Sequence, residues 1–326
     1  MFLGCLPVMP AFDIVGVGLN ATDTMIVIPA APEWGGKVPF SREFYSVGGQ
    51  VATAMVTCAR LGMRTKYIGA VGDDLRGKIQ MKSLRESGID IEHVRQREKC
   101  ANQSAYIVID QSTGERTVFW HHARCLELSP EEIAPDQIRS ARMLHLDGHD
   151  IHAAQHAAAI ANAAGIPVSM DLDTAYPNIE TVLPLVDYLV TSTEFPTAFT
   201  GIGDLFGALS SLQRRFTIRV VAATLGKWGV LAYTDGGFHY SPGYVVNCLD
   251  TTGAGDVFHG AFCYSVIERM PIREALRFSN AMAAFNCTAF GARGAIASLA
   301  EARQVMDRSA RCVHPDVARR TTTQRP

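Results

Sequence analysis

The stretch Asp250-Thr251-Thr252-Gly253-Ala254-Gly255-Asp256-Val257-Phe258-His259-Gly260-Ala261-Phe262 decides how this chain is read. A short apolar strand candidate, Tyr244 to Val246, leads into it, and an apolar helical pattern follows. The backbone N–H groups of Gly253, Ala254 and Gly255 are nearly free of side chains and stand at a helix N-terminus. There, unpaired donors and the positive end of the helix dipole favour a phosphate. Asp256 would repel that phosphate, so a carboxylate at this position needs a chemical purpose. Accepting a proton from a hydroxyl that attacks phosphorus supplies one. The bland alternative is a glycine turn closed by an acid that caps the helix, and the stretch alone leaves both open.

Working outward, the 326 residues can hold one large α/β domain or two smaller ones, and 48% hydrophobic residues suffice for a sizeable core. A net charge of −2 gives no basic field for nucleic acid and no acidic tract. The eight cysteines, at 5, 58, 100, 125, 248, 263, 287 and 312, form no CxxC pair and read as reduced thiols of a cytoplasmic protein. The opening MFLGCLPVMP lacks a charged leader, which argues against a signal peptide, and no apolar run approaches the roughly 20 residues of a membrane helix.

Phe12 to Gly18 reads as a buried first strand, with short strands at Met25 to Pro29 and Lys37 to Val47. Gly48-Gly49 opens an apolar helix from Gln50 to Leu61, and a strand (Lys66 to Val71) and a helix (Leu75 to Ser87) follow. Ser104 to Asp110 and Arg116 to Trp120 alternate about a turn and predict a hairpin. After Pro130 strands and helices alternate, with strands from Met143, Pro167, Tyr188 and Val220 and helices near Ile151, Ile179 and Asp204. That order predicts a mostly parallel sheet covered on both faces. Gly229 to Tyr240 reads as a hairpin, and two helices follow. One domain over 12–308 is expected, with lid pieces near 25–47 and 100–121 forming a small projecting sheet. The polar tail, 309–326, with Arg319, Arg320 and Arg325, reads as disordered. The three tryptophans read as core or cleft wall.

With this order established, the chain resembles the PfkB family of ribokinase-like carbohydrate kinases, from about Ile14 to about Ser298. The motifs that carry the resemblance are the Asp250–Phe262 stretch, Gly48-Gly49 with Arg60-Leu61-Gly62, Val71-Gly72-Asp73-Asp74, the Thr224–Gly229 turn and Cys287–Gly294. The resemblance implies a three-layer α/β sandwich with a β-sheet lid and an ATP- and Mg²⁺-dependent kinase for a sugar hydroxyl, expected to be primary. It implies that Asp256 is the general base and that Gly253, Ala254 and Gly255 form the anion hole. Asp250 and Thr252 would help bind a monovalent cation such as K⁺, or Asp250 would only cap its turn. Thr224, Gly226, Gly229 and Asn280 would lie on the nucleotide side, although the two glycines also suit an ordinary turn. Asn20 and Asp23 would read sugar hydroxyls, unless Asp23 makes only a local turn. Gly48 and Gly49 would bring backbone N–H groups to the sugar or permit a tight strand-to-helix passage.

The chain also departs from the pattern. Gln50 and Thr53 stand where many members carry asparagine, which puts the identity of the sugar in doubt. Ser192-Thr193-Glu194-Phe195 replaces an Asn-x-x-Glu, resembling the ketohexokinase-like and bacterial sugar kinases, with Ser192 and Glu194 as candidates on the nucleotide and magnesium side. Asp147–Asp150 and Asp171–Asp173 also end strands on the cleft side. His145, His149, His152 and His156 have a spacing that could bind zinc, but surface and capping roles fit them better. The alternatives are a nucleoside kinase of the same architecture and a sugar-binding pseudokinase. The expected partner is a small-molecule sugar, with pairing of two chains through the lid sheets, and neither nucleic acid nor membrane.

Overall fold

The computed structural model describes residues 10–121 and 123–322. The expectations about residues 1–9, Cys5 among them, and about Arg325 lie outside the described residues. The first half carries β1 (Ile14–Val17), β2 (Ala21–Ile28), β3 (Arg42–Gly48), α1 (Gln50–Arg60), β4 (Thr65–Ile68), β5 (Ala70–Gly72) and α2 (Leu75–Glu86). Then come β6 (Arg95–Arg97), β7 (Ser104–Asp110) and β8 (Arg116–His121). The alternating half runs α3 (Pro135–Arg139), β9 (Leu144–Asp147), α4 (Ile151–Ala163), β10 (Val168–Leu172), β11 (Tyr188–Thr191), α5 (Glu194–Thr200), α6 (Leu205–Phe216) and β12 (Val220–Thr224). It closes with β13 (Val230–Thr234), β14 (Gly237–Ser241), β15 (Gly243–Tyr244), α7 (Ala254–Ile267), α8 (Ile272–Asn286), α9 (Leu299–Arg308), β16 (Arg311–Cys312) and α10 (Pro315–Thr322).

Eight strands form one sheet in the order β14-β13-β12-β11-β10-β9-β1-β4, parallel from β12 to β4 and antiparallel at the β13–β14 edge. Its strands read as near-continuous apolar runs because both faces are covered. Alternation assigns the faces: Val15, Leu189 and Val221 pack on one side, and Ile14, Val190 and Ala222 on the other. The second side receives α1, α7 and α8, and α7 is apolar all round because it lies between those helices and the sheet.

A second, separate four-stranded sheet, β3-β2-β7-β8, forms from the segments expected to make the lid. One of its faces buries Met25, Val27, Ala105, Ile107 and Ile109. Across the other face Tyr45 and Tyr106 flank Thr24, and Tyr106 pairs with Phe119, all three aromatics being exposed.

Four expectations are corrected. No α-helix forms near Ile179: two short 3-10 turns, Ile179–Thr181 and Leu183–Leu185, stand there. Asn178 in a left-handed conformation and Pro184, which has no N–H, leave no room for a longer helix. The supposedly disordered tail is ordered to Thr322. β16 pairs with β15, Val317 is buried in the main core, and Arg320 bonds Asp204 at 2.6 and 3.0 Å while lying over the Phe206 ring. One buried valine and two arginines stacked on aromatic rings, Arg311 over Tyr244 and Arg320 over Phe206, anchor it, too little for a periodic signal. Cys100 and Cys125 are joined in a disulfide rather than reduced. The hairpin register explains it: Ser104 faces His121, so residues four before and four after are brought together, which spacing alone hides. Trp34 is exposed, in the proline- and glycine-rich turn between β2 and β3.

Candidate active site

The parallel strands all end on one side, the place where open α/β sheets bind ligands. The glycine loop lies there, between β15 and α7. Gly253 has φ +73°, and a Cβ on it would lie 2.3 Å from the Ala292 carbonyl oxygen. Only glycine fits that combination. Asp250 is fully buried: one oxygen accepts from the N–H (2.8 Å) and hydroxyl (2.6 Å) of Thr252, the other from the N–H of Gly291 (2.7 Å). Asn286 donates to the Thr252 carbonyl at 3.0 Å. The capping role of Asp250 is therefore present, and it ties the loop to residues 286–292. Gly255 is exposed, with open space where its Cβ would be, so the N-terminus of α7 is open at the surface.

Asp256 sits in the first turn of α7. Burial pushes its carboxyl up to about 7, the nearby Asp171 adds to this, and His259, Arg116 and Arg293 oppose it. Two of those groups, Arg116 and Arg293, were not singled out from the sequence. Arg116, on the lid strand β8, donates to the Thr251 hydroxyl at 2.8 Å, while the Thr251 N–H and hydroxyl reach the Gly114 carbonyl at 3.3 Å. The lid hairpin thus touches the glycine loop. Arg293 lies beyond α8 and donates to the Thr53 hydroxyl (3.1 Å), the Ser83 hydroxyl (3.2 Å) and the Gly48 carbonyl (2.9 Å). Burial lowers it to about 10, against the pull of Tyr67, Asp256 and Asp23. Its place in Cys287–Gly294 was the one available hint, and nothing in that stretch shows which segments it meets.

At the substrate end Asp23 is buried on β2 and accepts from the Ala105 N–H at 2.7 Å. Burial raises it to about 6, opposed by that bond and by Arg76 and Arg293. Asn20 is turned inward: its amide donates to the Tyr67 hydroxyl (3.0 Å) and the Ala70 carbonyl (2.6 Å), and accepts from Asn102 (3.4 Å). A Cβ on Gly49 (φ +92°) would meet Asn20 Cα at 2.3 Å, so the tight strand-to-helix passage is real. Gln50 is half-buried at the start of α1, and Thr53 is spent on Arg293.

On the nucleotide side Gly226 (φ +54°) is open, whereas Gly229 (φ +93°) is packed, its Cβ position 2.1 Å from the Ser241 carbonyl. Asn280 is buried and donates to the Ser241 carbonyl (2.9 Å), its hydroxyl (3.1 Å) and the Pro242 carbonyl (3.3 Å). Thr224 donates to the Thr191 carbonyl at 3.1 Å and Ser192 to the Asp173 carbonyl at 2.7 Å, while Glu194 is exposed at the start of α5. Among the described residues no group of three or more His, Cys, Asp or Glu side chains could hold a metal ion, so the four histidines do not converge on a zinc site. No helix of the described residues is long and apolar enough to cross a membrane.

The family description "pfkB family carbohydrate kinase" matches residues 23–298. The chain is 29% identical over 284 residues to an ATP-dependent ribose-1-phosphate kinase of Halopiger xanaduensis, covering 86% of this chain and 94% of that one. It is 27% identical over 297 residues to the ribokinase of Haemophilus influenzae, covering 89% and 96%. Among solved structures, a putative ribokinase from Agrobacterium tumefaciens superposes with a TM-score of 0.83 at 28% identity, covering 91% and 97%.

Proposed function

Since the chain belongs to the pfkB family of carbohydrate kinases, we propose that it transfers a phosphoryl group from ATP to a hydroxyl, expected to be primary, of a sugar or sugar-like substrate. The observation that carries this reading is Asp256, in the first turn of α7 directly after the open Gly255, with burial raising its carboxyl and Arg116 and Arg293 among the groups that oppose this. When bound, ATP supplies the γ-phosphoryl group and Mg²⁺ the countercharge. The Gly253–Gly255 N–H groups fit the phosphoryl oxygens, since the backbone at Gly255 is open. Ser192 is the proposed contact on the nucleotide side, and Glu194, exposed at the start of α5, is the proposed group on the magnesium side through water. Asp256 accepts the proton of the attacking hydroxyl, and Arg116 and Arg293 favour its ionised form. Asp23 accepts sugar hydroxyls, and the lid excludes water. Asp250 and Thr252 are the proposed neighbours of a monovalent cation.

Because Asp256 is raised to about 7, its carboxylate form grows as pH rises through neutrality. On this reading kcat/KM climbs up to tenfold per pH unit below that value and levels above it. The test is ATP turnover against ribose, ribose 1-phosphate, fructose, 2-keto-3-deoxygluconate and adenosine, with and without K⁺. Asp256→Asn is expected to lower kcat by about 10²–10⁴ with the fold intact. Near-wild-type turnover in that variant would sink the mechanism.

We also propose that two chains pair through the lid, where Tyr45, Tyr106 and Phe119 form an exposed aromatic row. Tyr106→Glu is then expected to convert a dimer to a monomer in sedimentation. Unchanged mass would exclude the pairing.

A further inference from the structure

Behind the proposed base, α7 and the sheet enclose a group of polar side chains that the reaction as described does not use. His259 lies three residues after Asp256 on α7, so the two are neighbours on one helix face. Its Nε2 is 3.1 Å from Oδ1 of Asp171, at the end of β10, and the two side chains are only 4% and 7% exposed. Around them α7 is otherwise apolar, with Val257, Phe258, Ala261 and Phe262 all buried. Placing an ionisable pair in such an interface costs desolvation that its attraction barely offsets, and apolar side chains of similar size would pack there as well. The pair therefore needs a reason other than stability. It is too deep to touch a ligand, so that reason lies in what it does to a neighbour.

The neighbour is Asp256. Asp171 is the negative group that pushes Asp256 towards its neutral form, and His259 is the first of the groups that oppose it. Arg116 and Arg293 oppose it as well. On its inner side His259 faces the His145 ring, whose centroid is 5.8 Å away, and His145 in turn meets the Cys263 thiol at 3.6 Å. Burial and His259 hold His145 down at about 3, so it stays neutral. Asp147 and Asp173 lie on the other side of Asp171 and are both pushed up in part by it. Nδ1 of His259 and Nε2 of His145 are buried without a hydrogen-bond partner. A cluster left incompletely paired is poor packing, but it fixes two polar side chains behind the first turn of α7.

We propose that Asp171 and His259 are positioning residues for Asp256: the pair holds the first turn of α7 against β10 and sets the charge behind the carboxylate. This rests on Asp256 being the proton acceptor. It predicts opposite effects from two nearly isosteric changes. Asp171→Asn removes the negative neighbour, so the acid limb of kcat/KM moves down by about one pH unit. His259→Gln keeps a donor towards Asp171 but removes the imidazole that opposes the rise of Asp256, so the limb moves up by a similar amount. The double variant returns close to the wild-type limb.

The measurement is the pH profile of kcat/KM, with ATP and the fastest substrate of the panel above, for wild type, both single variants, the double variant and Asp256→Asn. A purely structural role lowers plateau rates without moving the limbs in opposite directions. Limbs that stay in place, or move the same way, overturn the proposal while leaving Asp256 as the base. Full turnover in Asp256→Asn overturns both. Should His259→Gln fail to fold, the difference between Asp171→Asn and the double variant reads the same His259 effect.

Discussion

The two ends of the cleft are built differently. The proposed phosphate end is mostly backbone: one glycine loop at a helix N-terminus, braced by Asp250 and by residues 286–292 a short way along the chain. The proposed substrate end is mostly side chains brought from far apart. Asp23 comes from β2, Thr53 from α1 and Ser83 from α2, and Arg293, 240 residues beyond Thr53, binds the last two and the Gly48 carbonyl. A backbone site can be written in consecutive residues, because every residue carries the same N–H. A side-chain site needs particular groups at particular points in space, and only the fold brings them together.

Three variants break or sharpen that contrast. The largest effect is expected at the backbone end. Gly253→Val places a β-branched residue at φ +73° and its Cβ against the Ala292 carbonyl, so the loop must shift. Loss of an aligned donor there is expected to lower kcat by about 10²–10³, read in steady-state turnover at saturating substrate. Unchanged kcat would mean that the loop does not hold the transferring group. Next comes Asp23→Asn, which keeps an acceptor for the Ala105 N–H but removes the charge offered to the sugar. A charge-assisted hydrogen bond is worth about 1.5–3 kcal/mol, so kcat/KM is expected to fall by about 10- to 100-fold, chiefly through KM. A fall in kcat alone would move Asp23 from binding to chemistry.

The smallest loss of rate is expected for Arg293→Met, which keeps most of the stem but drops three hydrogen bonds. Unpaired buried acceptors cost about 1–3 kcal/mol, seen as a lower midpoint in urea unfolding. Arg293 also favours the ionised form of Asp256, so its removal shifts the acid limb of kcat/KM towards higher pH. A limb that stays in place would confine Arg293 to holding the cleft wall together.

Legibility followed the same division. Strand and helix alternation predicted the parallel sheet, because an apolar run between turns needs no knowledge of its neighbours. The hairpin Ser104–His121 was legible for the same reason. The helix expected near Ile179 was not, since a proline and a left-handed asparagine interrupt an otherwise apolar stretch. The Cys100–Cys125 bond follows from hairpin register, and the ordered tail from one valine and two cation–π contacts. Gly229 packs against the Ser241 carbonyl and Asn280 donates to it, contacts that the sequence around either residue does not spell out.

By itself the sequence determined the glycine turn and helix start from Asp250 to Phe262, the order of the layers and the family's reaction, since these rest on local patterns and on groups every residue carries. The tertiary structure alone decided that Arg116 meets Thr251 and Arg293 meets Thr53 and Ser83, that Asn20 turns inward, and that Asp171 and His259 pair behind the first turn of α7. Those relations are distances between segments far apart in the chain, and a carboxylate takes its character from what surrounds it, which no stretch of residues spells out.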